Sequence, residues 1–342
     1  MVDGVARPKR WLAILLAALG PSGVGHYYAG FRRRGVSWFA AQNALTIGIF
    51  AGLIGLGSSA NAAACALVVL VAVLARVAPL IDMAVLKPER FTPVPWKAVA
   101  LAAVASFGLT LAVTRTIRSR VVEAFKIPSA AMLPSLAPGD HVFVDKTKRD
   151  PARGEAVVFA YPDPDPAAAP MDFVKRVVAI AGDRVEFEAD LPIINGWQVP
   201  TCVVGRHRLD DGNGAKPGEF RVEFLGERPY LIWLDDVRYS GRQGPFVVAP
   251  GELWVLGDNR RNSSDSRTWR DGQGAGVPLR NVKGRLLVVW FSLASDARPD
   301  WSRVGTNLLQ PPQLPAAPRE LVQTLERCLA SPPPRTTPPP PQ

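Results

Sequence analysis

The 342-residue chain has only three cysteines and three histidines. That scarcity excludes the dense disulfide framework of small secreted domains, and it leaves no Cys/His cluster with the spacing of a metal site. His141 and His207 stand apart from any second ligand and read as strand-end or loop residues, so neither a metal nor an organic cofactor is implied. Also missing is the alternation of helical and strand patterns that builds a parallel sheet. The formal net charge of +10 invites a nucleic-acid reading. No basic stripe interleaved with aromatics accompanies it, and nucleic acid is not expected as a partner.

What the chain does have is two halves of different character. Residues 36–57, 59–80 and 98–114 are apolar stretches that read as three transmembrane helices within a segment 36–116, since about 20 helical residues cross the hydrocarbon core. Arg76, near the end of the second, can snorkel. The first 35 residues combine a basic N-terminus with an uncharged stretch, 11–31, broken by Gly20-Pro21-Ser22-Gly23. Arg7, Lys9 and Arg10 flank it on one side and Arg32, Arg33 and Arg34 on the other. With both clusters cytoplasmic, the stretch is re-entrant or interfacial, and His26-Tyr27-Tyr28-Ala29-Gly30 reads as an interfacial aromatic anchor. Lys87, Arg90 and Lys97 then fall in a cytoplasmic loop, and everything after the third span lies outside. A crossing by 11–31 would reverse that sidedness. Cys65 reads as a buried small hydrophobe. Cys202 and Cys328 can pair outside the cytoplasm, although the sequence favours leaving them unpaired.

From 117 to 300 the pattern changes to short alternating segments between Gly, Pro and Asp turns. Strands are expected at 141–146, 155–161, 172–181, 184–188, 220–225, 229–235, 245–249, 252–257 and 282–292, with a hairpin at Asn195-Gly196. The fold class is a membrane-anchored α+β protein: N-terminal transmembrane helices, then a mainly antiparallel β domain. Residues 301–342 read as a disordered Pro-rich tail with one amphipathic helix near 318–330.

Three blocks carry the chemistry. The first is Phe125-Lys126-Ile127-Pro128-Ser129-Ala130-Ala131-Met132-Leu133-Pro134-Ser135. The second is Asp172-Phe173-Val174-Lys175-Arg176-Val177-Val178. The third is Gly257-Asp258-Asn259-Arg260-Arg261-Asn262-Ser263-Ser264-Asp265-Ser266-Arg267. In this order, behind a membrane span, they resemble the bacterial type I signal peptidases, the serine–lysine leader peptidases. The resemblance implies a signal-peptidase-like catalytic β domain on the extracytoplasmic side of a bacterial inner membrane, in a multi-pass protein embedded in the lipid bilayer. It implies removal of N-terminal signal peptides from exported pre-proteins.

Lys175 also has a reading independent of the family. A lysine set in an apolar strand can be desolvated, and desolvation lowers its pKa toward the range of a general base. By resemblance, Ser263 orients that lysine, and Asp258, Arg260, Asp265 and Arg267 hold the region together by ion pairs. Ile127, Pro128 and Val174 match positions that line shallow pockets for small substrate residues, along which the leader docks by strand addition. One position departs from the pattern. The family's nucleophilic serine is here Ala131. Ser129 matches an oxyanion-hole position, and in an extended strand it projects to the same side as residue 131. Three readings stay open: Ser129 is a substitute nucleophile, the chain is a catalytically silent relative that binds leaders without cutting, or the alanine is a substitution in an otherwise active enzyme.

Overall fold

The computed structural model describes residues 7–55, 62–163, 165, 169–211, 214–236, 241–314 and 317–340. They form a helical unit that reaches Val122 and a β unit that begins at Glu123.

In the helical unit, α1 (Arg10–Leu19) and α2 (Val24–Tyr28) are joined by a tight reversal. Gly23 has φ +91°, and a Cβ there would lie 1.9 Å from the carbonyl oxygen of Gly35, so only glycine lets α2 approach α3 (Arg32–Gly55) so closely. Two further helices follow, α4 (Ala62–Val85) and α5 (Trp96–Arg120). Among the described residues two helices are long and apolar enough to cross a membrane, Ala63–Val85 and Trp96–Arg120. Both extend past the expected 59–80 and 98–114 toward their C-terminal ends. The expected span 36–57 falls largely on α3.

Two readings of this half are corrected by its polar contacts. His26 is no interfacial anchor: it is fully buried, with Nε2 3.1 Å from Oδ2 of Asp82. The same carboxylate accepts from Trp38 Nε1 at 2.7 Å and from Arg34 Nη1 at 3.0 Å, fastening α2, α3 and α4 together. Arg76 does not snorkel outward. Its guanidinium donates to the carbonyls of Ala18 and Gly20 at 2.7 and 2.9 Å, where the unpaired carbonyls at the end of α1 favour a cation.

Among the described residues, the β unit contains fourteen strands in three sheets. A seven-stranded sheet has the order β1 (Val122–Lys126), β2 (Asp140–Asp145), β14 (Val282–Ser292), β3 (Ala156–Ala160), β4 (Asp172–Ile180), β12 (Glu252–Leu256), β13 (Val277–Pro278). A four-stranded sheet joins β11 (Gln243–Val247), β5 (Arg184–Glu188), β6 (Leu191–Ile194) and β7 (Trp197–Gln198), the last two forming the Asn195-Gly196 hairpin. A three-stranded sheet joins β10 (Tyr230–Asp235), β9 (Ala215–Glu223) and the long β8 (Thr201–Asp210).

The seven-stranded sheet is buried on both faces, which explains its near-continuous apolar runs. Ala156 and Val158 pack with Ile127, Met132 and Leu286, while Val157 and Phe159 pack on the other face with Val177, Val255 and Trp269. Each Val, Leu, Ile, Met or Phe among them contributes about 1.5–3 kcal/mol. Helix α6 (Arg319–Ala330) lays Leu321, Leu325 and Cys328 on the three-stranded sheet, and Cys328 is disulfide-bonded to Cys202 of β8. With only three cysteines the sequence favours unpaired thiols; the packing of α6 on β8 brings these two, 126 residues apart, to a Cα–Cα distance of 5.8 Å. The described residues 331–340 are not the free tail expected. The carbonyl of Thr336 accepts from the Gly226 N–H at 2.7 Å, that of Pro339 accepts from Asn195 Nδ2 at 2.8 Å, and Pro338 is buried.

Candidate active site

The first block leaves β1 as a loop pinned at both ends. Ile127 N–H donates to the Asp140 carbonyl at 2.8 Å, and Gly139 N–H donates to the Ile127 carbonyl at 2.9 Å. Gly139 has φ +92°, and a Cβ would meet the Leu293 carbonyl oxygen at 2.0 Å, so the glycine of the Pro-Gly-Asp turn is obligatory. Asp140 is fully buried and takes a fork from Arg303, with Nε and Nη2 at 2.8 and 2.7 Å.

Between these pins, Ser129 is extended, but Ala130–Met132 is a single turn of 3₁₀ helix closed by Leu133 N–H on the Ala130 carbonyl at 3.1 Å. This corrects the strand expected through 129 and 131. Residues two apart share a side only in extended chain, and in the turn they do not. Ser129 is exposed, Ala131 is buried, and both line one cleft of about 780 Å³. The cleft also holds Ile127, Pro128, Val174 and Lys175. Ser135 is turned elsewhere, its Oγ accepting from Arg176 Nη2 at 3.4 Å.

Asn259 fixes the turn from behind. Its backbone N–H donates to the Ala131 carbonyl and its Nδ2 to the Ala130 carbonyl, each at 3.1 Å. Beside it, a Cβ on Gly257 would lie 2.3 Å from Ser263 Oγ and 2.4 Å from the Ala131 oxygen. Gly257 thus lets the third block press against the first. Ser263 Oγ is buried there without a hydrogen-bond partner, and it makes no bond to Lys175.

Lys175 sits mid-strand in β4, only 4 % exposed, with Nζ 5.7 Å from the centre of the Phe173 ring. Its amine makes no hydrogen bond or ion pair with any described residue. Burial pushes its pKa down to about 8; the nearby Arg267 lowers it further, while Asp265 and Asp258 oppose the shift. The amine is therefore close to the range in which a lysine accepts protons.

The four polar residues expected around the third block are all buried, and most of their partners lie outside it. Asp258 binds Arg176, with Nε to Oδ1 at 2.7 Å and Nη2 to Oδ2 at 2.5 Å. Arg260 forms a fork on Glu223 at 2.7 and 2.6 Å, and Tyr230 donates its hydroxyl to the same carboxylate. Asp265 accepts from Gly257 N–H at 3.0 Å and from Arg267 Nε at 2.9 Å. Burial works against the charged form of Asp265, but Arg267 outweighs it and holds the carboxyl below its ordinary range. Arg267 reaches on to Asp190, which also accepts from Arg261 at 2.7 Å. Arg176, Asp190, Glu223, Tyr230 and Asn259 were not singled out from the sequence. Glu223 gave no signal in the sequence: in β9 the apolar alternation falls on Phe220 and Val222, and Glu223 lies on the opposite parity with Glu219 and Arg221.

The model of the signal peptidase, peptidase S26, family matches residues 100–291, more than half of the chain and all three blocks. The chain belongs to this family. It is 34% identical over 227 residues to a signal peptidase I of Pseudomonas fluorescens, covering 58% of this chain and 76% of that one. It is 31% identical over 210 residues to a signal peptidase I of Aquifex aeolicus, covering 52% of this chain and 78% of the relative. The crystal structure of a signal peptidase I from Enterococcus faecalis V583 overlaps 41% of this chain and 99% of that one at 22% identity and a TM-score of 0.23, too slight a likeness to argue from. The S26 match contains Ser129, Ala131, Lys175 and Ser263 together. Among the described residues no group of three or more His, Cys, Asp or Glu side chains is placed to hold a metal ion.

Proposed function

We propose that the chain removes N-terminal signal peptides from exported pre-proteins by serine–lysine chemistry, with Ser129 as nucleophile and Lys175 as general base. The carrying observation is that an exposed serine hydroxyl and a buried, unbonded lysine with its pKa near 8 line the same cleft. Neutral Lys175 takes the proton from the Ser129 hydroxyl as Oγ attacks the scissile carbonyl carbon. The lysine then returns that proton to the leaving amine as the C–N bond breaks, and water releases the acyl group with Lys175 again as base. The N–H groups at the head of the 130–132 turn have no acceptor within the turn and supply donors for the oxyanion. Asn259 holds that turn, and Asp258, Arg260, Asp265 and Arg267 hold the loop behind it. Ser263 closes on the amine once substrate excludes water.

The leader lies extended between residues 126–129 and 172–175. Ile127, Pro128 and Val174 admit only small side chains one and three before the cut, by steric exclusion. The chain is divided into a basic re-entrant N-terminus to 35, membrane helices to 116, a catalytic β domain to 300 and a C-terminal segment that packs back on it. The basic residues Lys87, Arg90 and Lys97 beside the α4–α5 loop favour a cytoplasmic loop and an outward β unit in a multi-pass protein. The Cys202–Cys328 disulfide supports the same side, because such bonds persist in oxidising compartments.

The test is cleavage of a pre-protein carrying Ala-x-Ala before the cut, by the full chain in liposomes. The natural chain cleaves, and Ser129→Ala and Lys175→Ala each lose on the order of 10⁶ in turnover, as loss of nucleophile or base does in serine proteases. Retained cleavage in Ser129→Ala overturns the nucleophile assignment. An inert natural chain that gains cleavage only as Ala131→Ser establishes instead a silent, leader-binding relative.

A further inference from the structure

The turn that carries Ser129 separates two cavities of the β unit. Behind it, reached through Leu133, Pro134 and Ser135, lies a second cavity of about 540 Å³, within the roughly 300–1,000 Å³ typical of small-molecule sites. Its floor is the face of the three-stranded sheet, with Leu209, Phe220 and Leu231, and its roof is the segment after β14, with Leu308 and Leu314. A sheet face offers rings and methyl groups, whereas the unpaired ladder groups that recruit a peptide strand lie at an edge. The rings and methyl groups of this face suit a flexible apolar chain.

The charged groups of the lining differ in how they are partnered. Arg176 is neutralised by Asp258, and Arg303 by Asp140. Asp300, the one acid lining the cavity among the described residues, has its carboxylate engaged by Ser302 N–H at 3.0 Å and Ser302 Oγ at 2.6 Å. Arg208 is different. It is exposed, its guanidinium donates to the carbonyl of Ala215, and it has no carboxylate partner. Next to it, His207 is exposed and without a hydrogen-bond partner. The cavity thus combines an apolar interior with one cation, Arg208, that makes no ion pair among the described residues.

We infer that this cavity binds an amphiphile made of an acyl chain and an anionic head, the chain lying on Phe220 and Leu231 and the head at Arg208 and His207. A chain that carries membrane-length helices meets such molecules as free fatty acids or as anionic phospholipids, and both present the same chemistry. The inference does not depend on peptidase activity.

The test uses the full chain in phosphatidylcholine nanodiscs, photolabelled with diazirine forms of palmitate, phosphatidylglycerol, phosphatidylcholine and palmitoyl methyl ester. Labelled peptides are mapped by mass spectrometry. Palmitate, phosphatidylglycerol or both label residues 207–231 and 304–314, and whichever labels identifies the source. Phosphatidylcholine and the ester label there at about a tenth of that level or less, as expected for loss of a charge-assisted contact. Arg208→Glu, at an exposed position that leaves folding intact, lowers anionic labelling about tenfold. Leu314→Trp, which fills the roof, abolishes it. Equal labelling by charged and uncharged probes, labelling unchanged in Arg208→Glu, or labelling confined to the helical unit overturns the inference.

Discussion

Lys175 and Arg176 are neighbours on one strand, both cationic by nature and both buried, yet the structure treats them oppositely. Alternation turns them to opposite faces of β4. On one face Lys175 lies beside Phe173 without a bonded partner, and burial drives its pKa down. On the other, burial also opposes the charge of Arg176, but a two-point contact to Asp258, helped by the Tyr230 ring 3.9 Å away, overrides it and raises the pKa. Depth alone therefore does not fix the direction of the shift; a bonded carboxylate reverses it. The strand presents an amine of lowered pKa to the cleft and a permanent cation to the scaffold.

The sharpest test of this contrast is Lys175→Arg. It keeps bulk and charge but installs a group that does not deprotonate, and turnover of pre-protein should fall on the order of 10⁶, as far as in Lys175→Ala. On the opposite face the expected loss is in stability. Asp258→Asn leaves Arg176 buried without its counter-ion, at a cost of about 3–5 kcal/mol, whereas Arg176→Met combined with Asp258→Leu recovers most of it. Thermal unfolding of the solubilised chain followed by tryptophan fluorescence separates the two. Next comes pH. The base works when neutral, so single-turnover cleavage should rise about tenfold per pH unit below about 8 and level off above it. A rising limb near 10.5, the ordinary lysine value, would place the amine in water and erase the contrast. Smallest is Lys283→Ala. Its partner Asp172 opens the same strand, but the pair is a third exposed, and melting should change by no more than about 1 kcal/mol.

The sheet was legible because its period is local. Strands 172–180, 184–188 and 282–292 appear almost where alternation predicts them, and α6 begins one residue late. Lys175 was legible too, as a charge inside an apolar run. The short strands β6 and β7 and the long β8 were not delimited beforehand, since β8 runs Thr-Cys-Val-Val-Gly-Arg-His-Arg with little alternation. The partners of the third block were hidden for another reason. Glu223 lies 37 residues before Arg260 and Arg176 lies 82 before Asp258, so only the folded sheet brings them together. The form of residues 129–132 was misread by extending the strand of Phe125 to Ile127 onward, although Ala-Ala-Met favours a helical turn. The deciding bonds come from Asn259, far along the chain.

Asn195 Nδ2 bridges Oδ1 of Asp183 and the carbonyl of Pro339, 144 residues later. During translation, then, this one bond at the corner where β4 turns into β5 waits while more than a hundred further residues are made. Arg153 and Val248 close the corner first, so the proline strap adds the latest tie to a joint already formed.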